Sequence, residues 1–170
     1  MATAYLTLPP LAAKPDIDAP PQLSAYESTA GEPNPEWMVW LFDGTTAEFI
    51  HYQFRMPGDY ASAPSLTVLW QSSAVTNAVV WTARVGAITA ADADTPQEHA
   101  AGTVNSATAT NNNTTEANRL NTTTWALTNA DSVAAGDLVD LIVGRDPAAA
   151  GDTSTTDAGL LMAELSYTTT

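Results

Sequence analysis

Cysteine is absent from this 170-residue chain, which excludes disulfide staples and thiolate metal sites. Lysine occurs once, at Lys14, and the remaining bases are Arg55, Arg84, Arg119 and Arg145, scattered along the sequence. Five bases against 19 acids leave a formal net charge of −14. Nucleic acid needs a basic footprint, and an anionic membrane surface repels such a chain, so neither is an expected partner. Histidine is nearly absent too. With only His51 and His99, a transition-metal site would rest mainly on carboxylates, a poor donor set for zinc. No apolar run approaches the 18 residues of a transmembrane helix. Residues 1–6 lack the basic and apolar regions of a secretory signal. Without such a signal, the sequons at Asn112, Asn113 and Asn121 read as ordinary loop and strand residues. The acidity itself favours solubility, and it suits an exposed shell that faces bulk solvent.

Catalytic signatures are equally scarce. The sequence contains no nucleophile elbow, Walker A loop, zincin helix motif or dinucleotide fingerprint. His51 is expected on the outer face of a strand beside Gln53 and Arg55, and His99 in a polar loop. Glycosidase chemistry needs two facing carboxylates, for which Glu48 and Glu164 are the strand-borne candidates. The reading is of a protein that is not an enzyme, with no catalytic residue, cofactor or metal. The Asp-rich stretches at Asp92–Asp94 and Asp152–Asp157 offer oxygen ligands of the kind calcium takes, but neither follows the EF-hand order. Plain acidic turns are the expectation there.

What is present is proline, concentrated at one end. Seven of the eleven prolines fall between residues 9 and 35. Proline lacks an amide donor and drives its predecessor toward extended backbone, so this stretch predicts neither helix nor central strand. Residues 1–35 therefore read as an extended arm, partly polyproline II, with Ala4, Leu6 and Leu8 alternating as a short edge strand. Its apolar anchors are Tyr5, Leu6, Leu8, Leu11 and Ile17. Trp37 and Trp40 stand where the arm enters the next region and are candidates for holding the arm or a subunit contact.

Residues 36–170 change texture. Apolar residues recur with period two over residues 47–56, 65–71, 78–89 and 119–128. Residues 37–42, 102–110, 138–143 and 160–167 complete about eight predicted strands separated by turn signals. The pattern predicts an all-β fold: an antiparallel, jelly-roll-like β-sandwich behind an extended N-terminal arm. Alternation places Trp70 and Trp81 on core faces, so packing accounts for them better than sugar binding does.

The C-terminal half carries a recognisable pattern. Its elements are Leu127 to Asp131, Ala134 to Val139, Gly144-Arg145-Asp146, Asp152, Asp157 and the closing Leu160, Leu161, Glu164, Leu165 and Tyr167. Phe54 to Pro57, Asp59-Tyr60, Leu69-Trp70 and Val79 to Trp81 precede it. Over residues 42–168 this resembles structural proteins of tailed bacteriophages, among them head-decoration proteins, head fibres and tail-fibre or baseplate modules. The resemblance implies a β-sandwich, often a homotrimer, with no catalytic residues. It implies the major capsid protein or other virion proteins as partners, and the capsid surface as the location. Arg145 and Asp146 are the positions it singles out, with Arg145 expected to pair with Glu164 or a neighbouring subunit. The leading expectation is a capsid decoration or cement protein bound to the shell through its arm. The alternative is a host-surface, glycan-binding module of a head or tail fibre, acting through loops 90–101 and 111–118.

Overall fold

A computed structural model describes residues 1–27, 33–91, 93, 95–111 and 117–170. All eight expected strands are present: β4 Glu36–Phe42, β5 Glu48–Arg55, β6 Tyr60–Ser72, β7 Ala78–Ile88, β8 Asn105–Thr110, β9 Asn121–Ala126, β10 Leu138–Arg145 and β11 Ala158–Thr169. The arm adds three more, β1 Thr3–Leu8, β2 Lys14–Pro15 and β3 Gln22–Glu27, with one 3-10 turn at Pro10–Ala12. No helix among the described residues is long and apolar enough to cross a membrane.

The strands form two antiparallel sheets. One runs β3-β4-β11-β6-β9 with β1 also on β11, and the other runs β2-β5-β10-β7-β8. The fold is thus the expected all-β sandwich. Its core is built by alternation: Ile50 and Tyr52 of β5, Trp81 and Ala83 of β7, and Val139 and Leu141 of β10 face Phe42, Trp70 and Leu165 of the opposing sheet. Trp81 contacts Phe42 edge-on at 5.3 Å and Trp70 at 6.1 Å, bridging the two sheets.

The arm's path departs from the sequence reading. Its backbone is extended, as the prolines require, but its strands belong to the sandwich. β1 pairs with β11 from Thr3 opposite Thr168 to Leu8 opposite Ala163. β4 occupies the same edge of β11 further along, from Ala158 opposite Phe42 to Leu160 opposite Trp40. The register of β11 against β6 shifts between Leu160 and Met162, a bulge where one edge partner gives way to the other. The chain then crosses to the second sheet, where Lys14 pairs with His51, and returns as β3 beside β4. Trp40 Nε1 donates to the Pro10 carbonyl at 2.9 Å, pinning the 3-10 turn. The three strands of the arm are thus paired with β11, β5 and β4.

Candidate functional site

Arg145 closes the inward series of β10 after Val139, Leu141 and Val143, so alternation carries a guanidinium into the interior, where it is fully buried. Every donor is used. Nε and Nη2 form a fork on Asp152 at 2.9 and 2.8 Å, Nη2 also reaches the Ser154 carbonyl, and Nη1 donates to Thr156 O at 2.7 Å and Phe42 O at 3.4 Å. Asp152 in turn accepts from the Val80 amide at 3.0 Å and the Ser154 amide at 3.2 Å. Burial pushes the Asp152 carboxyl up, and the bonds from Arg145 and Val80 more than reverse this, leaving it below its ordinary value. The expectation that Arg145 meets Glu164 is corrected: its partner is Asp152. Glu164 lies on the other sheet, opposite Thr7 and Thr67. Asp146 has a local role, accepting from the Ala148 amide at 3.1 Å while its own amide donates to Val80 O.

His51 is tied between two carboxylates, Asp140 at Nδ1 (2.9 Å) and Asp16 at Nε2 (3.0 Å). The Asp140 bond, opposed by burial and aided by Asp16, raises its pKa, and the His51 bond lowers that of Asp16. The carboxylates sit at opposite edges of the ring, so they do not converge on a metal. Among the described residues no group of three His, Asp or Glu side chains does so. His51 thus latches the arm, through Asp16, to β5 and β10. His99 is likewise engaged, with Nε2 at 2.6 Å from Asp131.

The glycosidase pair does not assemble. Glu48 accepts from the Asp43 amide at 2.7 Å, with burial raising its pKa, while Glu164 belongs to the opposite sheet. Of the possible calcium ligands, Asp152 is committed to Arg145, and Asp92 and Asp94 lie outside the described residues.

The arm's apolar anchors split into two sets. Leu8 is buried and Leu6 packs against the core, so these are spent within the chain, as is Trp40 of β4. Tyr5, Leu11 and Ile17 remain 64%, 69% and 86% exposed. Trp37, at 58%, is also exposed, opposite Tyr26 of β3.

Among the described residues, each outer face carries a groove. On the five-stranded sheet, Gln53, Asp140, Ile88 and Leu138 floor a groove of about 350 Å³ walled by Pro96 and His99 of the 90–101 loop. On the six-stranded sheet, Tyr26, Trp37, Gln71, Ser73 and Asn118 border a groove of about 550 Å³. Asn118 is the contribution of the 111–118 loop, whose residues 112–116 lie outside the described ones. The sequence reading missed Tyr26, Gln71 and Asp16. Tyr26 and Asp16 sit in proline-rich surroundings without period-two signal, and Gln71 becomes notable only once β4, β11 and β6 lie side by side.

No protein-family model matches the chain, and no curated protein sequence does. The solved structures similar to it include the following three. One is the family 11 carbohydrate-binding module from Clostridium thermocellum, in complex with a β-1,3-1,4-mixed-linked tetrasaccharide (TM-score 0.49, 11% identity, 97% of this chain and 96% of that one). Another is TmCBM61 in complex with β-1,4-galactotriose (TM-score 0.41, 9% identity, 90% and 85% covered). The third is the structure of infectious bursal disease virus Gx strain (TM-score 0.42, 11% identity), where 98% of this chain spans 33% of the viral one. These are likenesses of fold alone.

Proposed function

We propose that this chain is a non-enzymatic virion structural protein, a decoration or cement subunit that binds the outer capsid shell through the outer side of its N-terminal arm. One observation carries the reading: the arm is fixed by its own sandwich, yet leaves Tyr5, Leu11 and Ile17 exposed. Ordering a free arm costs roughly 1–2 kcal/mol per residue in backbone entropy. Here folding has already met that cost, so apolar contacts on the arm count toward docking. The likeness of residues 42–168 to phage structural proteins supports the same reading, as does the net charge of −14, which keeps a solvent-facing shell soluble. That likeness also favours a homotrimer.

The test replaces Tyr5, Leu11 and Ile17 together by serine. All three are exposed, so the variant should unfold like the parent. In sedimentation with empty shells it should stay in the supernatant while the parent pellets. Co-sedimentation of the variant at the parent's level contradicts docking through the arm.

A further inference from the structure

We infer that the groove beside Tyr26 and Trp37, on the outer face of the six-stranded sheet, binds a short neutral oligosaccharide. The backbone fixes the aromatic pair. Tyr26 and Trp37 are directly opposed in the antiparallel register, and so project to the same side. They are 37% and 58% exposed, whereas Trp40, Trp70, Trp81 and Trp125 are all buried. Solvent has been left with the one indole that core packing did not use.

The opposite wall is polar. Gln71 and Ser73, at the end of β6 and just beyond it, and Asn118 from the loop before β9 face the pair across Leu41 and Gly159. Leu41, Gly159 and Gln71 stand in register across β4, β11 and β6, two strand spacings or about 10 Å from end to end. The floor is closed at Gly159, where an added Cβ would stand 2.8 Å from Val39 Cγ2 and 3.4 Å from Gln71 Cγ. The two lobes, about 550 and 370 Å³, share Tyr26, Gln71, Ser73 and Asn118, and each falls within the roughly 300–1,000 Å³ of small-ligand sites.

The chemistry is that of a sugar. A pyranose presents a C–H face that stacks on an indole or phenol ring, and hydroxyls at its edge that both donate and accept. The side-chain amides of Gln71 and Asn118 do the same, and among the described residues neither is engaged by another side chain. An apolar protein surface laid here would cover both amides without satisfying them, whereas hydroxyls answer each. Charge selects within the class. Glu27 and Asp157 edge the groove and, among the described residues, no Lys or Arg lines it, so sialylated, sulfated or phosphorylated glycans are repelled.

The experiment titrates the full chain with neutral gluco-, galacto- and manno-configured tri- and tetrasaccharides and with sialylated counterparts, by calorimetry and tryptophan fluorescence. At least one neutral series should saturate with a blue shift, and Trp37 is the indole placed to report it. Trp37→Ala should abolish the shift and weaken binding tenfold or more. Gln71→Ala and Tyr26→Ala should each weaken it severalfold, all with parental thermal unfolding. The serine variant at Tyr5, Leu11 and Ile17 should bind sugar normally, so this inference and shell docking fail separately. Four results overturn it: no neutral series binds, a sialylated glycan is preferred, Trp37→Ala and Gln71→Ala both retain affinity, or Trp37→Ala instead abolishes a concentration-dependent self-association.

Discussion

Replacing Asp152 by alanine strands a guanidinium in the interior. Arg145 and Asp152 side chains are 0% and 1% exposed, so water cannot take over the lost fork. Breaking a buried ion pair by removing one partner costs about 3–5 kcal/mol. The Val80 and Ser154 amides lose their acceptor at the same time, which places the expected loss toward the upper half of that range. A domain of this size changes its Tm by about 2–4 °C per kcal/mol, so the variant should melt roughly 8–20 °C lower. Urea unfolding followed by circular dichroism at pH 7 gives the free energy directly. The double variant Arg145→Met with Asp152→Leu should regain much of the loss, since apolar groups of similar volume often replace a buried pair at little cost. The pH dependence has a defined sign. The folded Asp152 carboxyl titrates below its unfolded value of about 3.9, so its contribution is complete above that value and disappears as pH falls through the folded one. The deficit of Asp152→Ala should therefore shrink in acid. A loss at pH 7 below about 1 kcal/mol would refute the argument, because it would place the pair among exposed ion pairs.

The His51 latch titrates in the opposite sense. Its folded pKa is raised, so its contribution is full below the unfolded value of about 6.5 and lost as pH rises through the folded one. The stability gap between the parent and His51→Gln should be wider at pH 5.5 than at pH 9 in urea titrations, and a gap that widens with pH contradicts the assignment. Deleting residues 1–27 strips β1, β2 and β3 and bares one edge of β11, β5 and β4. The truncated chain should aggregate or lose its dispersed amide NMR spectrum. A well-dispersed, monomeric product would show that the arm is dispensable to the sandwich.

The eight strands from β4 to β11 were legible because period-two alternation is a local signal, set by a pleated backbone with one wet face. Trp70 and Trp81 illustrate it: Trp70 follows Leu66 and Val68 in phase, Trp81 stands between Val79 and Ala83, and each is fully buried. The absence of cysteine, the scarcity of bases and the missing catalytic motifs bounded the chemistry in the same local way. Pairing is not local. Proline forbids helix, but an extended chain pairs with whichever edge is open, and only the assembled sheets reveal that β11 and β5 each have one. The partner of Arg145 was hidden for the same reason, since Asp152 is seven residues away along a turn whose path depends on contacts with Ala78 and Val80. The aromatic pair is the last case. Sequence supplied Tyr26 and Trp37 as two separate residues, and the antiparallel register of β3 and β4 placed them side by side. Composition and periodicity thus determined an acidic β-sandwich whose sequence carries none of the familiar catalytic motifs. The tertiary structure decided which apolar groups that sandwich consumes and which it leaves to partners, because burial depends on what packs opposite each residue.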